Sequence, residues 1–450
     1  MLKIKKKKSQ EYIMSKKECT KLAKQWQVVL SEVVTEAERL VQSSQRRRKL
    51  SVEQLVQSLV LGCLEKGKVS LSTWVDVAHD LGCEISKSSL DDRLTGRLAM
   101  LLHEVLQQSI SKRVETEALP AKKLEPFKQV ILYDSTYIAL SPIFKDIFRG
   151  SREGYSSVKI QLGYDYKSAQ FSHLALSSGT EPDQKDEGLL SQAQADTLIC
   201  CDLGYFEQEH LQQMDQRGAY FILPLHSQVA LYDEADNGRI DLASLLSQHT
   251  GDCFEARFAV GRKVRHSLRV VAFRLPEQLA SSKRRALKHR AKKAGYTPSQ
   301  QSLTLCAWHI LVTNLEQDWT AEDIRLLFGI RWQIELIFKS WKSYLEIETG
   351  DYWRRERVFC QLLATLIGAV LCQQTFALVR WVKSLETSQF RTVDTLRRKL
   401  QDLYHVIRRD WYGLIAWATR LRKALLKLAR QQNLETAPST LYNLINKGLS

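Results

Sequence analysis

Apolar residues recur at helical spacing through the first hundred positions and again from about residue 320 onward; between these stretches they gather into short continuous runs. Trp26, Val29, Leu30 and Val33 keep the three-and-four spacing of one helix face, and residues 50–64 repeat it. Asp80-Leu-Gly reads as a helix end, and Ile85-Ser-Lys-Ser-Ser-Leu as a capped helix start. The stretch from Leu119-Pro120 to Glu125-Pro126 reads as a linker. Beyond it, residues 130–133, 158–166, 171–176, 198–201 and 220–223 are predicted strands, with a helix over 206–216. Apolar runs of four with helices between them predict a mixed or parallel sheet covered on both faces. From 226 to 316 the pattern is strand-rich, with candidates at 254–260, 267–273 and 303–313 around a basic, helical run at 283–293. Residues 358–379 carry no charge over nearly a bilayer's thickness. Gln361, Thr365, Gly368, Gln373, Gln374 and Thr375 interrupt them, so a buried core helix is predicted and no membrane association. Trp411 and Trp417, at apolar spacing, suggest packing or self-association.

A chain of 450 residues exceeds one ordinary core, so several units are expected. The net charge of +16 points to a polyanionic partner, because lysines and arginines that neutralise phosphates release condensed counterions. Residues 3–8 and 46–49, the run at 283–293 with Arg284, Arg285, Lys288 and Arg290, and Arg354, Arg355, Arg357, Arg408 and Arg409 are its candidate contacts. The run at 283–293, charged on nearly every side, reads as a patch for backbone phosphates; the other clusters are equally readable as solvated faces. Nine cysteines without a CxxC pair read as thiols in a reducing compartment, neither a disulfide framework nor a zinc site. The charged N-terminus has no apolar stretch behind it, so no signal peptide is visible and a cytoplasmic location is expected.

The candidate chemistry lies in three carboxylates. Asp134 follows one apolar run and Asp202 another, which places both at the carboxyl edge of a sheet, where open α/β sheets hold ligands. Strand-end aspartates also serve turns, and singly neither is specific. The third element is Phe328-Gly-Ile-Arg-Trp-Gln-Ile-Glu-Leu-Ile-Phe-Lys-Ser-Trp-Lys342. Read as one helix, Phe328, Arg331, Glu335, Lys339 and Lys342 fall within an arc of about 80°, and Ile330, Ile334, Ile337 and Trp341 within another of about 60°. One face packs, and the other brackets a carboxylate with cations. Ordinary i,i+4 pairing explains those charges one by one. It leaves the crowd of aromatic residues on the same helix unexplained.

This segment resembles the Tyr-x2-Arg-x3-Glu-x6-Lys signature of bacterial insertion-sequence transposases of family four, the Tn-five and Tn-ten type of the DDE superfamily. Arg331, Glu335 and Lys342 keep its spacing, while Phe328 stands where the signature has tyrosine. Asp134-Ser-Thr resembles the family's first catalytic motif, Asp202-Leu-Gly-Tyr205 its second, and residues 303–315 the strand leading into the signature helix. The resemblance implies an α/β, ribonuclease-H-like (retroviral-integrase-like) catalytic core interrupted by a β-rich insertion and flanked by helical regions. The expected division is a helical DNA-binding region at 1–120, the first part of the core at 121–225, the insertion with its basic segment at 226–318, the catalytic helix at 319–350, and a helical region for DNA contact or dimerisation at 351–450.

The resemblance further implies that Asp134, Asp202 and Glu335 hold two Mg²⁺ ions, which Mn²⁺ replaces. Arg331, Lys339 and Lys342 would hold phosphates flanking the cleaved bond. Phe328, without the phenolic hydroxyl, keeps a ring for stacking on a base, and Trp332 packs or stacks. Lys159 either faces the site and touches DNA or is an exposed strand lysine. Transposon-end and target DNA are the expected partners of a homodimer in the bacterial cytoplasm, associated with the nucleoid. Two rivals stand beside this reading: a non-catalytic DNA-binding repressor, and a metal-dependent nuclease that cuts without joining.

Overall fold

Capping side chains mark where the first helices begin. Ser51, Ser70, Ser86 and Thr95 each accept a hydrogen bond from a backbone N–H three residues on, satisfying a donor that every helix start leaves open. The helices are α1 (Lys16–Gln27), α2 (Val33–Leu40), α3 (Val52–Glu65), α4 (Leu71–Asp80), α5 (Lys87–Asp91) and α6 (Gly96–Ser111). Gly82, with φ of 85°, makes the left-handed turn that closes α4. The computed structural model describes residues 16–41, 50–66, 69–116, 121–150, 154–347, 354–379, 381–382, 385–386, 389–399 and 413–432. The basic clusters at 3–8 and 46–49, Leu119 and Pro120 of the linker, Arg408, Arg409 and Trp411 lie outside the described residues.

The middle of the chain is mixed α/β. Strands β1 (Gln129–Leu140), β2 (Ser156–Asp165), β3 (Gln170–Ser178), β4 (Thr197–Cys201), β5 (Tyr220–Pro224), β6 (Leu231–Tyr232), β7 (Arg239–Ile240), β8 (Cys253–Val260), β9 (His266–Arg274) and β10 (Trp308–Thr313) share one sheet. Its order is β3-β2-β1-β4-β5-β10-β9-β8-β6-β7. β1 and β4 are parallel, as are β4 and β5, whereas β2 runs antiparallel to both of its neighbours. Every residue of β4 is buried, as expected of a parallel strand with both faces covered.

Seven helices accompany the sheet: α7 (Glu187–Ser191), α8 (Gln208–Gln216), α9 (Leu242–Gln248), α10 (Glu277–Lys293), α11 (Gln300–Leu305), α12 (Ala321–Gly329) and α13 (Trp332–Ser343). On one face Ile131, Tyr133, Ile199, Phe221 and Val270 share a core with Leu189, Leu211, Met214 and Leu246 of α7, α8 and α9. Toward the other face, the Cys200 thiol lies 3.9 Å from the Leu327 carbonyl of α12.

Two strand expectations need correction. The strand expected over 303–313 begins at Trp308; before it, Ser299 caps α11 by accepting from the Ser302 N–H. The apolar run at 130–133 is the start of a strand that continues to Leu140, where burial alternates from residue to residue. One-sided burial of that kind hides a strand from any search for continuous apolar runs. The strands between 226 and 316 extend the central sheet through the antiparallel pairing of β5 with β10.

The last helices are α14 (Arg355–Val379), α15 (Gln389–Arg398) and α16 (Gly413–Gln432). Among the described residues, 355–378 alone are long and apolar enough to cross a membrane, and 94% of that window is buried within the protein. Two of its polar residues bond to other helices: the Gln374 amide donates to the Ser109 carbonyl at 3.0 Å, and the Thr375 hydroxyl accepts from the Trp26 indole at 3.1 Å. Gly368 leaves room for Leu64, whose Cδ2 would lie 2.9 Å from an added Cβ. Trp417 is fully buried, edge-on to Trp26 at 5.2 Å. The described residues thus form two compact units. One is helical, drawn from before residue 118 and after residue 338, and the other is the sheet unit spanning 118–338.

Candidate active site

The parallel register of β1 and β4 sets the first two carboxylates. Tyr133 pairs with Cys201, the last residue of β4, so Asp134 and Asp202 are next in line on neighbouring strands. Asp202 follows the end of its strand as expected and opens the short turn Leu203–Tyr205. Asp134 differs from expectation: it lies within β1, paired with Leu162 of β2, because β1 outruns β4. Behind them, the buried Tyr205 packs edge-on against Tyr133 at 5.3 Å.

Glu335 sits in the first turn of α13. The single helix expected over 328–342 is broken: α12 ends at Gly329 and α13 starts at Trp332. Across the break the Ile330, Arg331, Gln333 and Ile334 amides each donate three residues back, which tightens the chain into a turn. Phe328 therefore belongs to α12, and the arc drawn through it and Glu335 does not exist as one helix face. Its ring is nearly buried, 5.5 Å from the His309 ring and 5.7 Å from the Arg331 guanidinium carbon. The stacking surface expected of it is already covered.

The break aims Arg331 back at both carboxylates. Its Nη1 lies 2.8 Å from Asp134 Oδ2 and its Nη2 2.8 Å from Glu335 Oε1. All three side chains are partly buried, so these charge-assisted bonds are poorly screened. The Asp134 carboxyl is pushed up to about 6, chiefly by burial; Arg331 and the Ser135 N–H oppose the shift, and Asp202 and Glu335 add to it. Asp134 therefore feels both other carboxylates, and Arg331 is the counter-charge on which all three act.

Among the described residues no three His, Cys, Asp or Glu side chains stand close enough to hold one metal ion. The donor set still fits a hard divalent cation in kind. It offers carboxylate oxygens on neighbouring elements, two of them already gathered on one cation, Arg331.

The remaining expected residues scatter. Lys339 and Lys342 are exposed on α13, and Trp332 is 49% exposed beside Arg331. Arg284, Arg285, Lys288 and Arg290 lie on α10, Arg284 paired with Glu277 at 2.8 Å and the other three exposed. Lys159 is not an exposed strand lysine. It is 1% exposed, with its ammonium 2.9 Å from Asp183 and bonded to the Glu181 carbonyl. Asp183 also accepts from the Ser135 hydroxyl at 3.0 Å and the Gln161 amide at 3.2 Å, and Gln161 accepts from Tyr205. Sequence reasoning missed Asp183 and Gln161. The available signal was the polar residues immediately following Asp134 and Asp202, which ask for partners beneath the sheet edge.

Comparisons with known proteins give the family and its relatives. The family described as "Transposase DDE domain" matches residues 125–371, more than half of the chain. The transposase for insertion sequence element IS231E of Bacillus thuringiensis subsp. finitimus is 27% identical over 378 residues, covering 78% of this chain and 79% of that protein. That for IS231D of the same subspecies is 28% identical over 418 residues, covering 86% and 87%. That for IS1151 of Clostridium perfringens is 25% identical over 358 residues, covering 73% and 75%.

Proposed function

The chain belongs to the transposase DDE domain family, and we propose that it binds transposon ends, cuts them and joins the 3′-OH ends to target DNA by a cut-and-paste route. The observation that carries this reading is the register that sets Asp134 beside Asp202 while Arg331 ties Glu335 to Asp134. The strand order 3-2-1-4-5 with β2 antiparallel supports a ribonuclease-H-like core, and β6 to β10 would be the family's insertion, fused here to the same sheet. The spacing of Arg331, Glu335 and Lys342 favours family four.

Asp134, Asp202 and Glu335 would hold two Mg²⁺ or Mn²⁺ ions, which when bound neutralise charge at phosphorus and activate water or a 3′-OH. Asp134 then works as an anion, so its proton must leave. With cations held there, Arg331 would give up at least one of its carboxylates, and its guanidinium would then grip the phosphate under attack. Lys339 and Lys342, on the helix of Glu335, hold flanking phosphates, and Trp332 offers an exposed ring to the strand. The basic face of α10 takes backbone phosphates further along. A dimer on DNA in the bacterial cytoplasm, at the nucleoid, would bring two ends together.

Cleavage of the element's own end with Mg²⁺ tests the assignment. Asp134→Ala, Asp202→Ala and Glu335→Ala are expected to bind that DNA and leave it uncut. Full cutting by any one of them removes that residue from the site.

A further inference from the structure

Asp134 is held from behind. Its neighbours in β1, Tyr133 and Ser135, point to the sheet face opposite its own. Each meets an aspartate from one short segment of chain after β3. Tyr133 donates its hydroxyl to Asp186, and Ser135 donates to Asp183 Oδ1 at 3.0 Å. The register pairs Ser135 with Gln161 of β2. Gln161 and Lys159, two residues apart on that strand, send an amide and an ammonium to the same Asp183 oxygen, at 3.2 and 2.9 Å. One carboxylate oxygen thus gathers three donors from two strands.

The same segment reaches the chain that follows Asp202. Tyr205 donates its hydroxyl to Gln161, so the two ends of one amide link Tyr205 to Asp183. A Cβ on Gly204 would stand 2.7 Å from Asp183 Oδ2, and glycine lets the turn lie directly against that carboxylate. Gln184 donates to the Phe206 carbonyl at 3.4 Å. Lys159 is 1% exposed, and an ammonium buried to that degree is costly unless its partner is fixed. Charge-assisted bonds in such a place are strong and reinforce one another. Ligands carried on separate strands hold an ion well when a second layer of hydrogen bonds fixes the chain beneath them.

We infer that Asp183 is a positioning residue for the metal site. Through Ser135, and through Gln161 to Tyr205, it holds the chain at Asp134 and the chain after Asp202 at the spacing that bound cations require. The inference rests on the transposase reading and extends it to the opposite face of the sheet. Lys159 keeps Asp183 charged and in place, and so acts on the site at one further remove.

The test uses the full chain bound to a terminal-repeat duplex that is already cut and ends in a 3′-deoxy sugar, which can be neither cut nor joined. Mn²⁺ is titrated in and the free ion is followed by electron paramagnetic resonance, beside urea unfolding of the metal-free proteins. Asp134→Ala should weaken Mn²⁺ binding in this complex. Lys159→Met with Asp183→Ala removes the ion pair without stranding a charge. This protein is expected to unfold near the wild-type midpoint and yet to bind Mn²⁺ about tenfold more weakly. Lys159→Met with Asp183→Asn keeps an acceptor for Ser135 and Gln161, and should regain the wild-type Mn²⁺ affinity. Ser135→Ala with Tyr205→Phe leaves the ion pair intact and removes one donor at each end, so it should weaken Mn²⁺ binding even if the alanine pair does not fold. Wild-type Mn²⁺ affinity in the alanine pair or in Ser135→Ala with Tyr205→Phe, or no recovery with asparagine, overturns the positioning role and leaves the transposase reading standing. Mn²⁺ binding indifferent to Asp134→Ala, or a wild type that does not bind the duplex, defeats that reading and the inference together.

Discussion

Arg331 stands where three carboxylates call for positive charge, and the consequences are measurable one residue at a time. Asp134 has a folded-state value of about 6, above the 3.8 of an ordinary aspartate. A carboxyl raised in this way favours the fold most when protonated, below about pH 4, and that advantage is lost as pH rises through about 6. Asp134→Asn removes the cost of ionisation. It is expected to be more stable than wild type by about 2 kcal/mol at pH 8 and equal to it at pH 4. Urea unfolding in metal-free buffer at the two pH values checks this, and equal stability at pH 8 would contradict a desolvated Asp134. Lys159 makes the opposite case. With its ammonium buried against Asp183, Asp183→Ala strands a charge and should cost about 3 kcal/mol, while Lys159→Met combined with Asp183→Ala recovers most of it. Thermal unfolding of the three proteins decides; a double variant no better than the single one denies the pairing. Neither fact was legible in the sequence. Lys159 alternates along a strand like any surface lysine, and its partner lies 24 residues away in a loop no periodicity announces.

At the scale of elements, buried apolar runs were read well, because β4 and β5 need no partner to be recognised as core strands. The placement of Asp202 and its neighbourhood to Asp134 followed from that. What failed depended on neighbours. The outer half of β1 is a strand through its pairing with β2, and the break between α12 and α13 follows Gly329, inside a segment whose charges suit a continuous helix. The same dependence governs α14. Its glutamines and threonines count against burial in any hydropathy sum, yet α6 and α1 supply hydrogen-bond partners for Gln374 and Thr375. Gly368 is a tight point, with Leu64 Cδ2 and Cγ at 2.9 and 3.0 Å from the position an added Cβ would take. Gly368→Ala should therefore destabilise the helical unit by about 1–2 kcal/mol through overpacking, despite the better helix propensity of alanine. A denaturation midpoint equal to or above that of wild type would show that Leu64 moves aside without cost.

At the scale of the whole molecule, the net charge of +16 is the feature that most directly reports a partner. Its distribution decides whether it acts as a surface or as scattered solvation. Arg285, Lys288 and Arg290 are exposed on α10, and no ion pair among the described residues neutralises them, in contrast to Arg284 with Glu277. Contacts of this kind position a duplex without reading its bases. Replacing all three with glutamine should lower the salt slope of DNA binding by about 2–3, and should weaken binding to the element's own end and to unrelated duplex by a similar factor. Cutting at saturating DNA should stay near the wild-type rate, since the three side chains lie on a different helix from Glu335. A loss confined to the element's own end would instead make α10 a reader of sequence, and an unchanged slope would make it a solvated face, with the charge that meets DNA residing elsewhere on the chain.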